Sequence, residues 1–349
     1  MTSPRPAGQV AATAPSRSWF SAALRMALGD GRVEVLDCHA LSAGVYRLGL
    51  TEGHPDAVVV KRLDPAAAHR CRLLTRYWLP SAGLAHACPS MLAILGDGQQ
   101  AWTVHTWLPG QPLDTCLDTE RVQQLAVLVA AVHVRLAAYP LIAQLRHHCR
   151  YLGAGVLTGH FEDAWQALRT IERELPAQRR AGTSGVVAGL LERVHNCLRL
   201  APGMRALLHE VGGPDTLLHA DLWPKNVVAG TGWLRLVDWD RMGVGPALYD
   251  LSTLLFRLPA GYRRAAQERY LADLCAAGWP RPTGGEVAGL SRVMERARLA
   301  SLVSWRAQEL LQAPGEGARW AGEQLRLIRQ WWDEVDVTDL EHPRGVPAG

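Results

Sequence analysis

The chain has 349 residues and a formal net charge of +4, with 48% hydrophobic and 20% charged residues. This balance is typical of folded globular proteins and excludes extensive disorder, collagen-like repeats and a coiled-coil rod. No apolar run approaches the roughly 20 residues that a membrane-spanning helix needs, and the first 17 residues lack the apolar core of a secretory signal. We therefore predict a cytoplasmic protein that does not act at a membrane. We further expect a monomer or a homodimer.

The first third of the chain has the pattern of an antiparallel sheet. Alternating apolar residues separated by turn residues predict strands, and an Asp-Pro pair at 64–65 predicts the start of a helix. In chain order, the predicted elements are a helix at 19–28, strands at 33–40, 45–51 and 57–63, a helix at 64–79, and strands at 90–95 and 100–107.

From residue 119 onward the apolar spacing becomes helical. The predicted helices are 122–138, 161–175, 186–200, 261–277, 287–311 and 317–335. The boundaries of this pattern predict a tail at 1–17, a small sheet-rich domain at 18–107, a mainly helical domain at 108–340 and a flexible tail at 341–349.

Two residue types are informative through their numbers. The seven cysteines are scattered and include no C-x-x-C pair, which predicts reduced, mostly buried thiols rather than disulfides or a zinc site. No block of basic residues occurs, so binding to nucleic acid is not expected. Only two of the 37 basic residues are lysines, Lys61 and Lys225, which indicates that each needs a compact ammonium that arginine cannot supply.

A turn at 229–232 interrupts two apolar runs and predicts a β-hairpin inside the helical part of the chain. Because the two strands fold back on each other, Asn226 and Asp238 should lie at the same end of this hairpin, near Asp221. Carboxylate and amide oxygens suit Mg²⁺, which takes few protein ligands and leaves its other positions to water and phosphate oxygens. The sequence therefore predicts that two carboxylates and one amide oxygen, from Asp221, Asp238 and Asn226, converge where such an ion could bind.

The order of motifs resembles the aminoglycoside phosphotransferase/choline kinase family. The family's H-x-D-x-x-x-x-N loop is matched by HADLWPKN at 219–226, its metal-binding segment by DWD at 238–240, and its strand lysine by Lys61 in VVVKR. The resemblance covers about residues 30–335. It implies an α+β, two-lobed protein-kinase-like fold, with a small antiparallel-sheet N-lobe that binds nucleotide and a mainly helical C-lobe that binds the acceptor.

The resemblance also implies a reaction, the transfer of the γ-phosphoryl group of ATP to a hydroxyl of a small molecule with the help of Mg²⁺. Asp221 would orient and deprotonate that hydroxyl. Asn226 and Asp238 would hold the metal, and Lys61 would contact the α- and β-phosphates. Lys225 would either reach the γ-phosphate or point to solvent.

Nucleotide contacts follow from the same resemblance. The base would bind between the lobes to backbone groups near His105 and Trp107, and the turn from Ser42 to Gly44 would lie over the phosphates. The acceptor itself is left open by the sequence: an aminoglycoside or another antibiotic, a sugar or an amino alcohol.

One expected residue is absent. Kinases of this fold pair the strand lysine with a glutamate on the following helix, but residues 65–96 contain no acidic side chain, and the aligned position falls near Arg72. Lys61 must therefore pair with Asp238, with the nucleotide, or with no group. The alternative function is a pseudokinase that binds nucleotide without turnover. A protein kinase fits poorly, because no A-P-E sequence follows Asp238.

Two acceptor classes make different demands on the helical part. A polycation needs an acidic cleft, and a quaternary ammonium needs an aromatic cage, although helix packing explains aromatic residues equally well. The acidic candidates are Asp215, Glu295, Glu309 and Glu323. The aromatic candidates are Trp305, Trp320, Trp331 and Trp332.

Overall fold

The computed structural model of the chain describes residues 15–51, 55–96, 100–138, 140–176 and 182–338. Most of the predicted tail at 1–17, and the whole of the one at 341–349, lie outside these residues. Two compact units are present. We call residues 15–149 and 219–243 the sheet unit, and residues 150–218 and 244–338 the helical unit. The predicted domain boundary at 107/108 divides the chain differently and stays a prediction.

The sheet unit contains the predicted antiparallel sheet. Its five strands have the order β1-β2-β3-β5-β4, and every neighbouring pair is antiparallel. The strands are β1 (Val35–Ser42), β2 (Val45–Leu50), β3 (Ala57–Leu63), β4 (Met91–Gly96) and β5 (Ala101–Thr106). Five of the elements expected from the sequence are therefore confirmed as strands, with ends that differ by a few residues.

The two faces of this sheet have different tasks because side chains alternate along a strand. Helix α1 (Arg17–Leu28) covers one face, where its Phe20 and Leu24 pack against Val60 and Trp102. Lys61 follows Val60 in β3, and its cross-strand partner in β5 is Thr103. The lysine therefore lies on the face opposite α1, which leaves it outside the apolar core.

The helix that follows β3 is less regular than its sequence suggests. Helix α2 (Pro65–Leu73) begins at Asp64, whose side chain accepts a hydrogen bond from the backbone of Ala67, continues as a π-helical turn at Leu74–Trp78, and ends in a short helix α3 (Leu79–Ser81). Leu74 and Trp78 are fully buried, so packing sets this part of the backbone.

The rest of the sheet unit lies after β5 and around the predicted hairpin. A second sheet has the order β10-β9-β6, and its register pairs Leu236 with Val227. These elements are β6 (Gln111–Pro112), α4 (Thr119–Leu136), α5 (Leu141–His148), β9 (Val227–Gly230) and β10 (Trp233–Leu236). The hairpin of β9 and β10 is confirmed. Helix α5 was not predicted.

The described residues of the helical unit form six helices and one small sheet, β7-β11-β8. Helix α10 packs against α6, α8 and α11 and forms the centre of this unit. The elements are β7 (Arg150–Tyr151), α6 (Ala154–Glu174), α7 (Ser184–Val211), β8 (Asp215–Leu218), β11 (Gly243–Pro246), α8 (Leu248–Arg257), α9 (Ala260–Ala276), α10 (Gly284–Gln312) and α11 (Gly315–Val337).

The lengths and hydropathies of the described helices bear on whether any of them could cross a membrane. None of them alone is long and apolar enough to cross a membrane, although α4 and α5, which meet at 96°, together satisfy the length and composition of a broken span. All seven cysteines are free thiols, and four of them are buried, as the sequence predicted.

Candidate active site

The loop that begins at His219 has an unusual backbone. Ala220 has a φ of 61°, a conformation that residues other than glycine rarely adopt. His219 is 1% exposed, its Nε2 lies 2.8 Å from the carbonyl oxygen of Val237, and its ring packs against that of Trp239 at 4.6 Å between centroids, with the planes tilted by 45°. His219 therefore fixes the loop against the segment that carries Asp238, which is a structural role.

Asp221 is held from two directions. The indole Nε1 of Trp223 donates to its Oδ1 at 2.8 Å, and the amide Nδ2 of Asn226 donates to its backbone oxygen, also at 2.8 Å. The second bond uses the nitrogen of the buried Asn226 side chain and leaves its oxygen as the candidate metal ligand. Trp223, whose role the sequence did not reveal, thus orients the predicted base.

Lys225 lies over the ring of Trp223, with Nζ 4.6 Å from the ring centroid. Burial lowers the pKa of its ammonium, and the nearby charges of Asp221 and Asp238 oppose that shift. The Lys225 ammonium is therefore within the electrostatic influence of the Asp221 and Asp238 carboxylates, and its contact with the γ-phosphate stays a prediction.

Asp238 follows the hairpin and has a left-handed backbone, with a φ of 69°. The N–H of Val237 donates to the backbone oxygen of Asn226 at 2.9 Å, which extends the pairing of β9 with β10 by one step. Asn226 and Asp238 thus lie at the same end of the hairpin, as the turn predicted.

Lys61 contacts two carboxylates. Its Nζ forms an ion pair with Oδ1 of Asp238 and lies 3.1 Å from Oδ1 of Asp240. Of the partners that the sequence allowed for Lys61, the structure contains Asp238. It also contains a second partner, Asp240, which the sequence did not suggest. Residues 177 positions apart in the chain therefore meet at the predicted nucleotide site.

The charges in this cluster shift each other's pKa values. Burial alone would lower the pKa of the Lys61 ammonium, but the charges of Asp238 and Asp240 outweigh it and raise that pKa. Burial would raise the pKa of Asp238, whereas its hydrogen bond with Asp240 and the charge of Lys61 hold it below its usual range. Burial, together with the neighbouring Asp238, raises the pKa of Asp240 to about 7.

The turn predicted to cover the phosphates lies next to Lys61 in the sheet. Ser42 pairs with Val45, Val45 pairs with Lys61, and the carbonyl oxygen of Gly44 accepts a hydrogen bond from the N–H of Arg62 at 2.8 Å. Gly44 has a φ of 74°, so this tight turn requires a glycine.

The predicted base-binding segment has one group already in use. The N–H of Trp107 donates to the oxygen of Ala57 at 3.2 Å, so this N–H is not the donor to a nucleotide base. Burial lowers the pKa of the His105 imidazole to about 4, the charge of Lys61 adds to the shift, and a hydrogen bond with the backbone of Pro89 opposes it. His105 is therefore neutral at pH 7.

The donor set is compatible with Mg²⁺ but not with a metal held by the protein alone. Among the described residues, no group of three or more His, Cys, Asp or Glu side chains is arranged to hold a metal ion. The predicted ligands are one amide oxygen and one carboxylate, which suits an ion that also binds phosphate oxygens and water. Asn226 and Asp238 fit that requirement.

Two of the four aromatic candidates of the helical unit, Trp305 and Trp320, pack against an arginine of the same chain. The guanidinium carbon of Arg306 lies 4.0 Å from the ring centroid of Trp305 and 4.3 Å from that of Trp320, and Arg306 is 3% exposed. Trp332 is buried in the core. Contact with Arg306 therefore accounts for Trp305 and Trp320, and core packing accounts for Trp332.

Two of the acidic candidates are paired within the helical unit. Glu295 is 3% exposed and binds both Arg257 and Arg298, at 2.8 and 2.6 Å, and Glu309 binds Arg306 at 2.6 Å. These carboxylates are neutralised by arginines of the same chain.

Comparisons with known proteins agree with this geometry. A family model described as "Phosphotransferase enzyme family" matches residues 39–284. No curated protein sequence matches the chain at a significant level. Among solved structures, a choline kinase from Cryptosporidium parvum has a TM-score of 0.62 and 12% identity over 92% of this chain and 97% of its own.

Two phosphotransferase structures are similar to a comparable degree. A spectinomycin phosphotransferase solved with ADP and spectinomycin has a TM-score of 0.61 and 12% identity, and covers 93% of this chain and 99% of its own. An aminoglycoside 2'-phosphotransferase mutant solved with GDP has a TM-score of 0.58 and 14% identity over 90% and 98%. These similarities establish the protein-kinase-like fold, so the predicted fold class is confirmed.

Proposed function

Because the chain belongs to the phosphotransferase enzyme family and is therefore a small-molecule phosphotransferase, we propose that it transfers the γ-phosphoryl group of ATP to a hydroxyl group with the help of Mg²⁺. The observation that carries this proposal is the cluster of Lys61 with Asp238, next to the loop of Asp221 and Asn226. Phosphoryl transfer uses a positive charge at the phosphates and a carboxylate at the metal ion. Lys61 and Asp238, 177 positions apart in the chain, are in contact and have these two side-chain types.

Each side chain has a role that its geometry allows. Asp221, whose carboxylate is oriented by Trp223, accepts the proton of the attacking hydroxyl. Asn226 and Asp238 would hold Mg²⁺, and the ion would supply positive charge for the phosphates. Lys61 supplies a fixed positive charge for the same phosphates. Lys225, stacked on Trp223 beside Asp221, adds a second positive charge near the point of transfer.

The contacts of the helical unit favour one group of acceptors. Arg306 fills the space between Trp305 and Trp320 that a quaternary ammonium would need, and Glu295 and Glu309 are neutralised by arginine. A polycationic or choline-like acceptor would have to displace these arginines. We therefore propose that the acceptor is a neutral or acidic hydroxyl compound, such as a sugar or an uncharged antibiotic. The proposed place of the reaction is the cytoplasm.

The test is a measurement of ADP release with purified protein, ATP, Mg²⁺ and a panel of polycationic, quaternary ammonium, neutral and acidic hydroxyl compounds. We expect release that depends on a neutral or acidic acceptor. Asp221→Asn should lower kcat by about 10²- to 10⁴-fold and leave ATP binding unchanged, because a general base contributes about that factor. Asp56→Asn, an exposed change in the same unit, is the matched control.

Other outcomes have distinct meanings. Binding of ATP with no turnover on any acceptor would support the pseudokinase alternative. Turnover only with aminoglycosides or choline would refute the proposed acceptor class, and no binding of nucleotide would refute the proposed function itself.

A further inference from the structure

The ammonium of Lys61 has two carboxylate partners, Asp238 and Asp240. In the proposed reaction one of them also has to bind the metal ion. Asp238 is the predicted ligand of Mg²⁺, and a carboxylate that binds a metal ion no longer neutralises a lysine to the same degree. Asp240 lies 3.1 Å from the same Nζ atom, on the 3₁₀ turn Trp239–Arg241. Asp240 therefore remains as a partner of Lys61 when Asp238 binds a metal ion.

The helix that should supply this partner does not do so. In α2, Arg72 is exposed, and its guanidinium bonds with the ring of His69 at 3.1 Å. Cys71 is buried, and burial, the negative charge of Asp240 and the opposing charge of Lys61 together raise the pKa of its thiol to about 12. The residue that α2 brings beside the ion pair is thus a neutral thiol.

From these contacts we propose that Asp240 replaces the missing helix glutamate, and that it is the positioning residue that holds Lys61 toward the nucleotide phosphates while Asp238 binds Mg²⁺. The inference rests on the proposed function for the nucleotide and the metal. The ion pair itself rests only on the contacts within the sheet unit. One short segment, DWD at 238–240, therefore carries both the metal ligand and the partner of the strand lysine.

The composition of the chain offers a direct readout of the pair. Because Lys61 and Lys225 are the only lysines, protein labelled with ¹⁵N-lysine gives at most two side-chain ammonium signals, and Lys61→Arg assigns them. In nucleotide-free protein we expect Asp240→Asn to shift the Lys61 signal and speed its exchange with water. Lys225 is the internal control and should not change. An unchanged Lys61 signal in Asp240→Asn would overturn the proposal.

Kinetics and a rescue test the positioning role. Asp240→Asn should raise the KM for ATP by about tenfold, since one charged partner of the lysine is lost, and leave the KM for the acceptor unchanged. Cys71→Glu in the same variant should restore most of the loss, because it returns a carboxylate to α2 beside Lys61. Asp240→Glu, which keeps the charge, should retain most of the activity.

The outcomes separate this inference from the proposed function. If Asp240→Asn instead raises the Mg²⁺ concentration needed for half-maximal rate and Cys71→Glu restores nothing, Asp240 is a metal ligand and the inference is wrong. If no variant binds nucleotide but the Lys61 signal responds to Asp240→Asn, the proposed function fails while the lysine pair stands.

Discussion

Asp238 combines a strained backbone with a functional side chain. Its φ of 69° places a residue other than glycine in the left-handed region, and Ala220 in the facing loop is the second described residue of this kind. Such conformations persist only where the surroundings enforce them, and they cluster at functional sites. Here the bond of His219 to Val237 and the contact of Lys61 with Asp238 supply that enforcement.

At the same scale, His105 makes the stability of the protein depend on pH. Its pKa is lowered by burial to about 4, whereas an unfolded chain has a histidine pKa of about 6.5. Between these values the unfolded state binds more protons, so the free energy of unfolding falls as the pH falls from about 6.5 to about 4. The contribution of His105 reaches at most about 3 kcal/mol at neutral pH.

The measurement is urea unfolding of the parent protein and of His105→Gln at pH 7 and at pH 5. We expect the loss of stability between the two pH values to be smaller in the variant by about 1–2 kcal/mol. His86→Gln, a change at an exposed position, is the control and should keep the parent's pH dependence. Equal losses in all three proteins would show that His105 is not the titrating group.

The sequence revealed the residues of the site better than their contacts. Asn226 and Asp238 could be placed together because the hairpin turn between them is encoded locally, and Asp221 was singled out by the resemblance of its loop to the family motif. Asp238 was among the partners that the sequence allowed for Lys61, but the second partner, Asp240, could not be inferred, because it is 179 positions away and the pairing depends on how α2 and the 239–241 turn pack. Trp223 gave no signal either, since an indole that donates to a carboxylate is indistinguishable in sequence from a core tryptophan.

Among the elements, α10 has a complete capping box at its start. The Thr283 hydroxyl accepts a hydrogen bond from the N–H of Glu286 at 3.3 Å, and the Glu286 carboxylate accepts one from the N–H of Thr283 at 2.7 Å. We expect Thr283→Ala to lower the free energy of unfolding by about 1 kcal/mol, because an N-cap bond at the central helix of the helical unit is lost.

The control for this change is Thr170→Ala in α6. The Thr170 hydroxyl bonds to the carbonyl of Gln166 one turn earlier and caps no helix end, so its loss should have little effect or stabilise slightly. Chemical unfolding of both variants gives the comparison. Equal stabilities of Thr283→Ala and the parent protein would show that the box is dispensable.

Elements whose signals are local were predictable, and those set by packing were not. Strands β1 to β5 follow from alternation and turns. In contrast, α7 continues through Pro202 to Val211, where the sequence suggested an end at residue 200, because the buried Met204 and Leu208 hold the later turns in the core. Helix α5 was not predicted, and only one of its eight side chains, that of Leu145, is buried.

At the scale of the whole molecule, the cysteines of the two units differ in burial, and burial determines how readily each thiol reacts. Burial is the main cause that raises the pKa of Cys71 and Cys88 to about 12, and of Cys149 and Cys197 to about 11. Three of these thiols are in the sheet unit, and Cys197 is in the helical unit. At pH 8 such thiols carry almost no thiolate, which is the form that reacts.

We therefore expect a disulfide exchange reagent at pH 8 to label the native protein only at its three partly exposed cysteines, Cys38, Cys116 and Cys275. The four buried thiols should react only when urea unfolds the unit that contains them. Mass spectrometry of labelled peptides at increasing urea concentration measures both steps, and fully unfolded protein is the control for complete labelling.

Rapid labelling of Cys71 or Cys197 without urea would contradict the burial of these residues, and fewer than seven thiols in the unfolded protein would reveal a disulfide. Because the four thiols are divided between the two units, the urea concentration at which each one appears also measures the stability of its unit separately.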